Sequence, residues 1–415
     1  MTLISVPDYY PQFQCIGPQC EDTCCSGWTV NVDRTTYQRY EQSTHEVLAP
    51  MFKLAIYKNT TPSGDQDKNF GLMRMKPDGS CHFQQADKLC AIQRTLGAQA
   101  LSDTCSLYPR YINLFGGQRE SALGISCPEA ARLILLNPAP MQFSLVEPMP
   151  GIDDRACTTF RFPEMSDGDP VQISVLNDLR ALIIAILQCR ALSLGARLMT
   201  LGFLLQEADH ITSSAQFTHA SELQPVLGAF VDLLAQPAQL EAQFAQIEPQ
   251  IPRKLDLITG MIAKSLTVGA SPRFSECLQL AALGLAVNPG GDLLRHYSES
   301  YQTFYQPFIQ ERGHIFENYL VNNVIVRLFP FTRGSYLDLY RELVFNLSIL
   351  QVLLVGMATQ HKGLNERLVI QLFQSFARKS DHSKGYQQTL LDSLDATDQN
   401  SFTHVMWLLK ETTPT

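Results

Sequence analysis

The sequence predicts a mainly α protein in two parts, an irregular Cys-rich metal-binding N-terminal domain followed by an all-helical C-terminal domain. Three observations predict it: the cysteines crowd into the first third of the chain, a Pro-rich stretch follows them, and three- and four-residue hydrophobic periodicity takes over beyond it. The boundaries fall at residues 1–136 for the Cys-rich domain, 137–170 for a Pro-rich linker and 171–415 for the helical domain. A chain of 415 residues, 45% hydrophobic, can bury one large core or two ordinary ones.

Within 1–136 the elements are short. Asp33 suits the N-cap of a helix running through Tyr40. Lys76-Pro77-Asp78-Gly79 is a turn signal just before Cys81 and fits a hairpin, while Asn59 to Lys68 reads as a polar loop. Ser126-Cys127-Pro128-Glu129 fits a helix start, with Ser126 and Glu129 as a capping box and proline in the first turn. A thiol there would see the positive end of the helix dipole and ionise more readily, although a plain capped helix explains the same residues. Such a region is expected to hold little hydrophobic core of its own.

Pro138, Pro140, Pro148, Pro150, Pro163 and Pro170 deny the linker regular helix and predict an extended connection. From Val171 onward, Val175, Leu176, Leu179, Leu182, Ile183 and Ile186 form one helical face, with Asp178 and Arg180 off it. Similar faces recur to Leu409, broken at Gln236-Pro237, Asn288-Pro289-Gly290-Gly291, Phe329-Pro330 and Lys362-Gly363. That punctuation predicts roughly eight helices.

The net charge of -8 argues against nucleic acid, because phosphate backbones are held by clustered Lys and Arg. Leu347 to Ala358 is too short to cross a hydrocarbon core that needs about 20 residues, and Ala181 to Leu205 carries Arg190 and Arg197, so no transmembrane segment is expected. The first residues have neither a basic nor an apolar secretory region, which predicts a cytoplasmic address. Peripheral membrane contact and oligomer formation stay open.

Cys15, Cys20, Cys24, Cys25, Cys81, Cys90, Cys105 and Cys127 are the candidate metal ligands. In a reduced compartment, clustered thiols bind metal more readily than they form disulfides. Their spacing, Cys15-x4-Cys20-x3-Cys24-Cys25 and then Cys81-x8-Cys90-x14-Cys105-x21-Cys127, lets neighbouring thiolates face one ion while a distant segment completes the shell. These are more thiols than one tetrahedral zinc site uses, so either two sites exist or several cysteines are bystanders. Adjacent Cys24 and Cys25 are expected to point in different directions. Cys157, Cys189 and Cys277 read as ordinary buried thiols.

The string Cys15-Ile-Gly-Pro-Gln-Cys20-Glu-Asp-Thr-Cys24-Cys25-Ser-Gly-Trp28, with Cys81-His-Phe83, Leu89-Cys90-Ala-Ile-Gln93, Leu101-Ser-Asp-Thr-Cys105-Ser-Leu-Tyr108-Pro109-Arg110 and Ser126-Cys127-Pro128-Glu129-Ala130, resembles the flagellin lysine N-methylase family. Glu317-Asn318-Tyr319-Leu320-Val321-Asn322 with Leu328-Phe329-Pro330-Phe331 resembles a second signature of that family. The resemblance implies a 4Fe-4S cluster, S-adenosylmethionine as methyl donor and flagellin as protein substrate. The cysteine region also resembles putative zinc- or iron-chelating proteins, which keeps zinc as the alternative metal.

No Gly-rich strand-to-helix turn of the usual donor-binding fold is recognisable, because Phe115-Gly116-Gly117 and Pro289-Gly290-Gly291 lack the preceding strand and the later acidic residue. The C-x3-C-x2-C pattern of radical enzymes is absent as well. A cluster with three cysteine ligands could bind the donor at its open iron; one with four would be structural or an electron relay. Attack by lysine needs a neutral amine, whose unperturbed pKa is about 10.4, so desolvation or a base must remove its proton. His314, Asn318 and Asn322 share one face of a predicted helix beside Glu317, opposite Phe316, Leu320, Val324 and Leu328.

Glu317, Asn318 and Tyr319 are thus the catalytic candidates, with Glu317 receiving or orienting the amine. Tyr108, Arg110, His314 and Asn322 are the cofactor-binding candidates. The same polar face would also serve as a solvated or helix-pairing surface, and a Pro-fixed loop supporting Cys105 would explain Tyr108 and Arg110. A non-enzymatic metal-organised interaction module and a redox iron-sulfur protein remain the rival classes.

Overall fold

A computed structural model of the chain describes residues 3–62, 64–115, 117–149, 158–159, 170–214, 219–266, 269–287, 292–331, 335–382, 386, 390 and 402–411. Asn288-Pro289-Gly290-Gly291 and Cys157 therefore lie outside the described residues. The protein is mainly α and divides into two units. The first comprises Met1–Leu114, Gln118–Ala130 and Phe143–Thr159; the second comprises Phe115–Gly117, Ala131–Gln142 and Phe160–Thr415.

The first unit is more regular than its sequence suggests. Strands β1 (Ile4–Pro7), β2 (Asn31–Val32), β3 (Ile56–Lys58), β4 (Gly71–Met73), β5 (Arg110–Phe115), β6 (Gln118–Leu123), β7 (Phe143–Val146) and β8 (Thr158–Thr159) form two sheets. One has the order β7-β1-β6-β5-β8, with β1 parallel to β6 (Ile4 opposite Arg119) and antiparallel to β7 (Ile4 opposite Val146). The other is antiparallel, β2-β4-β3. Runs this short give no readable alternation, which is why the sequence hid them. A strand does precede Gly116-Gly117, but a second strand follows instead of a helix.

Helices α1 (Arg34–Glu41), α2 (Leu48–Ala55), α3 (Ala91–Leu96) and α4 (Asp103–Leu107) complete this part, and α5 (Pro128–Leu135) begins in it and runs into the second unit from Ala131 on. Asp33 does cap α1, accepting from the Thr36 N–H at 2.8 Å. The turn before Cys81 forms too: Gly79 takes φ +81°, the Lys76 N–H donates to the Ser80 carbonyl, and Met75 pairs across to Cys81. Contrary to expectation, the unit owns an apolar core, in which Val30, Val32, Tyr40, Leu48, Phe52, Phe83, Ile92 and Leu101 are all buried. Tyr40 stacks on Phe52 at 4.2 Å and its hydroxyl donates to the Ala100 carbonyl at 2.6 Å.

The second unit contains α6 (Pro170–Leu187), α7 (Leu194–Thr212), α8 (Gln224–Leu234), α9 (Pro237–Ala245), α10 (Ile251–Met261), α11 (Pro272–Gly284), α12 (Leu293–Ser300), α13 (Gln306–Arg312), α14 (His314–Val326), α15 (Tyr336–His361), α16 (Glu366–His382) and α17 (Phe402–Leu408). There are more helices than the eight expected because the chain also bends at positions the hydrophobic pattern runs through. A π turn at Tyr301–Tyr305 joins α12 to α13, and proline opens α8, α10, α11 and α13 from inside the first turn. The predicted face of α6 is buried as expected, yet Arg180 is buried with it. Its guanidinium lies 5.9 Å from the Phe115 ring and 5.8 Å from that of Phe331, a cation–π position that the periodicity could not foresee.

The long helix α15 is the axis of this unit. Its backbone meets α11 so closely that a Cβ on Gly284 would fall 1.9 Å from the Gly356 carbonyl oxygen, leaving no room for any side chain. By length and composition alone α6 and α15 are apolar enough to cross a membrane, as the shorter uninterrupted apolar runs of the sequence were not. For α15, 94% of the apolar window is buried inside the protein, so its hydropathy is that of a core helix. Lys362 ends it in the left-handed conformation at φ 55°.

Candidate active site and thiol cluster

The second unit holds a cavity of about 730 Å³, and its wall contains two of the sequence-predicted residues, His314 and Glu317. Both sit in the first turn of α14. The Glu317 carboxylate is 1% exposed and gripped by two arginines. Its Oε1 accepts from Arg190 Nη2 at 2.8 Å and Nε at 3.2 Å; its Oε2 accepts from Arg190 Nε at 3.0 Å and Arg197 Nη1 at 2.9 Å. Arg197, buried, also donates to the Leu187 and Leu192 carbonyls, each at 2.9 Å, and so closes the C-terminus of α6. The pairing with Glu317 raises the Arg190 pKa further.

Both oxygens of this carboxylate already receive guanidinium hydrogens. Its geometric effect is to fix Arg190 and Arg197 on the cavity wall. At His314, burial and then the charges of Arg190 and Arg312 lower the pKa and favour the neutral ring. Among the described residues its Nε2 is buried with no hydrogen-bond partner.

The rest of the predicted polar face is neither solvated nor in the cavity wall. Asn318, 1% exposed, donates from Nδ2 to the Asn137 carbonyl at 2.8 Å, while its Oδ1 is buried without a partner among the described residues. Asn322 is buried as well. Tyr319 packs edge-on against Phe373 at 5.2 Å, and burial raises its hydroxyl pKa. The sequence pattern missed Arg190, Arg197, Tyr301 and Glu411, which line the same cavity. Arg190 and Arg197 interrupting an otherwise apolar stretch were the available signal.

In the first unit the thiols gather. Cys25, Cys81, Cys90 and Cys105 all belong to or pack against the one apolar core, and the Cys24 and Cys25 sulfurs lie 4.0 Å apart, side by side and not diverging. Cys24 hydrogen-bonds Cys25 and raises its pKa, with burial adding to the effect. Burial likewise raises Cys20, Cys81 and Cys90, and pushes Cys105 up to about 12. Cys24 is also within electrostatic reach of Cys90, Cys105, Cys20 and Cys127. Cys15 is exposed.

Cys127 departs from the helix-dipole expectation. The Glu129 and Ala130 amides do favour its thiolate, but burial outweighs them and pushes the thiol up to about 12. The Tyr108 hydroxyl donates to Ser126 Oγ at 3.1 Å and its ring packs on Trp28, whose indole N–H donates to the Cys24 carbonyl at 2.7 Å. Arg110 lies over the Phe13 ring at 4.9 Å. Both therefore brace the thiol-bearing loops, whereas His314 and Asn322 belong to the other unit.

No three His, Cys, Asp or Glu side chains among the described residues stand close enough to share one ion. The thiols fit a thiophilic metal or cluster in donor type and neighbourhood, as several sulfurs around one apolar core, and not as a preformed shell. A bound cation would reverse the pKa balance, since ligation deprotonates thiols outright. Cys277 is buried 4.0 Å from Ser375 Oγ and Cys189 packs on Leu192, Ala196 and Leu240, both apart from this group.

The family model of the FliB lysine N-methylase C-terminal domain matches residues 180–408, a range that includes Arg190, Arg197, Tyr301, His314 and Glu317 but not the thiol cluster. Over 144 residues the chain is 33% identical to a lysine-N-methylase of Salmonella typhimurium, a match covering 34% of each chain. It is 33% identical over 141 residues to the flagellar biosynthetic protein FliU of Salmonella muenchen, covering 33% of this chain and 80% of that one. The match thus spans about a third of the length of the lysine-N-methylase relative. No solved structure matches the chain significantly.

Proposed function

Because the chain belongs to the FliB lysine N-methylase family, we propose that it transfers the methyl group of S-adenosylmethionine to lysine side chains of flagellin in the cytoplasm, with a Cys-ligated 4Fe-4S cluster in its first unit. The observation that carries the reading is the cavity inside the family-matched region, walled by a carboxylate-clamped arginine pair and a neutral-favouring histidine. Its volume is in the range of about 300–1,000 Å³ typical of small-molecule sites.

Arg190 spends Nε and Nη2 on Glu317, which leaves Nη1 for the carboxylate of the methyl donor. Glu317 is a positioning residue in this account: it holds Arg190 in one orientation. His314 accepts the proton that the lysine ammonium must lose, through its buried, unpartnered Nε2. Asn318, Tyr319 and Asn322 act at one remove by seating α14 in the core.

Cys24, Cys25, Cys81, Cys90 and Cys105 are the residues that would hold the cluster, with Cys20 and Cys127 next to them and Tyr108 and Arg110 bracing their loops. When bound, such a cluster supplies Lewis-acidic or one-electron chemistry. The first unit's thiols supply ligands, and the apolar core behind Cys25, Cys81, Cys90 and Cys105 covers one side of them.

The test is equilibrium binding of S-adenosylhomocysteine together with iron, sulfide and zinc analysis on anaerobically purified protein. Saturable binding that Arg190→Met weakens about tenfold or more is expected, from the loss of a charge-assisted hydrogen bond. Iron and sulfide are expected with it. Unchanged binding in Arg190→Met would remove the donor from this cavity, and stoichiometric zinc without iron or sulfide would replace the cluster with a structural metal.

A further inference from the structure

The cavity wall carries a second charged group that the proposed function does not use. It is Glu411, which follows α17. One of its carboxylate oxygens accepts from the Tyr301 hydroxyl and the other from Gln351 Nε2. A carboxylate offers roughly four lone-pair positions, so acceptor capacity is left over. Among the described residues, no cation lies within ion-pair distance of it.

The nearby lysines are committed elsewhere. Lys410 donates to the Phe244 carbonyl at 2.7 Å and rests over the Phe244 ring at 4.0 Å. Lys254, fully buried, spends its three N–H groups on Gln351 Oε1 at 3.3 Å, the Leu408 carbonyl at 2.8 Å and the Lys410 carbonyl at 3.1 Å. It therefore fixes the segment that carries Glu411, and it feels that carboxylate's charge from beyond ion-pair distance.

Around Glu411 the protein has gathered tyrosines. Tyr301 lies in the cavity wall, its ring 6.2 Å from that of Tyr297 and 5.1 Å from that of Tyr305. The Tyr297 and Tyr305 hydroxyls are buried with no hydrogen-bond partner among the described residues. An anion beside an electron-rich ring is the arrangement that recognises an alkylammonium, by charge and by the ring quadrupole together. It would repel a carboxylate, so it does not duplicate Arg190.

We propose that Tyr301 and Glu411 form the subsite for the lysine side chain of the methyl-accepting protein, while Arg190 on the wall of the same cavity takes the donor. The subsite names where the acceptor enters and rests on the methyltransferase reading for its purpose. Glu411 binds the ammonium form and His314 takes its proton, so that the amine pair is free when it meets the methyl carbon; the methyl–sulfur bond breaks as the methyl–nitrogen bond forms, with its electron pair staying on sulfur.

The probe is Nα-acetyl-lysine methylamide, titrated into the full chain by calorimetry, with S-adenosylhomocysteine as a control for the folded cavity. Glu411→Gln should weaken the lysine probe about tenfold or more and leave S-adenosylhomocysteine unaffected, and Glu411→Asp should recover part of the loss. In methyl transfer to flagellin, the same variant should raise KM for the acceptor more than it lowers kcat. Equal probe affinity in wild type and Glu411→Gln, or a loss confined to S-adenosylmethionine through its sulfonium, would overturn the subsite. Probe binding that depends on Glu411 without any methyl transfer would uphold the subsite and reject the reaction; methyl transfer with an unchanged acceptor KM in Glu411→Gln would do the reverse.

Discussion

Glu317→Gln removes the negative charge between two guanidiniums while keeping the side-chain shape. The carboxylate is 1% exposed, and the two pairs are unequal: the Arg197 side chain is 11% exposed and that of Arg190 is 41% exposed. Breaking a buried pair from one side costs about 3–5 kcal/mol, because the surviving charge stays desolvated. That figure applies to Arg197. The Arg190 share is screened by water and adds at most about 1 kcal/mol. Glutamine recovers some hydrogen bonding, so a loss of about 3 kcal/mol is expected for the helical unit, or roughly 6–12 °C in its Tm. Far-UV circular dichroism follows that unit, which carries most of the helix. A loss below about 1 kcal/mol would refute the claim that the clamp is a buried, charge-balanced element. Replacing the pair together, as Glu317→Leu with Arg197→Met, should cost less than Glu317→Leu alone.

His314→Asn should cut turnover about 100-fold while S-adenosylhomocysteine still binds. Because the folded-state pKa of His314 is lowered, the neutral base persists below the ordinary histidine range, so the acid limb of the wild-type rate profile should lie below about pH 6.5; a limb above that value would assign the base elsewhere. Lys254 is lowered to about 8 from 10.5, so between those values the unfolded chain binds the extra proton and this group's contribution to stability rises with pH. The stability difference between wild type and Lys254→Met should accordingly grow by up to about 3 kcal/mol from pH 8 to pH 10.5, measured by urea unfolding, and a flat difference would mean the ammonium is not held as described. Cys90→Ala and Cys105→Ala should lower iron content and solubility whereas Cys189→Ala and Cys277→Ala leave iron unchanged; full metal retention in the first pair would move the ligands.

Long periodic elements were legible in the sequence and short or compensated ones were not. The face of α6 from Val175 to Ile186 was readable because six apolar residues recur at helical spacing, and Asp33 and the turn at Lys76-Pro77-Asp78-Gly79 were readable from local hydrogen-bonding chemistry. The β1 strand was not, since its four residues pair with β6 and β7 from more than a hundred positions away. At the cavity, the sequence picked out the helix that carries His314 and Glu317 but not their partners. Arg190 and Arg197 sit 127 and 120 residues from Glu317 in the chain, and only the packing of α6, α7 and α14 brings them to it. Helical spacing grouped Asn318 and Asn322 with His314, and burial of α14 on nearly every side then separated their roles. Proximity of the N-terminal cysteines in sequence did foreshadow a thiol group, although bringing Cys25, Cys81, Cys90 and Cys105 to one core required the turn at Gly79 and the start of α3 at Cys90.

The most direct measurement is mass analysis of flagellin lysines after anaerobic incubation with S-adenosylmethionine and either wild-type protein or Arg190→Met, at matched cluster content. The account predicts methylated lysines with wild type and at least about a tenfold lower rate with the variant at limiting donor. Unmodified flagellin with cluster-bearing wild-type protein, or equal rates for the two proteins, would contradict it.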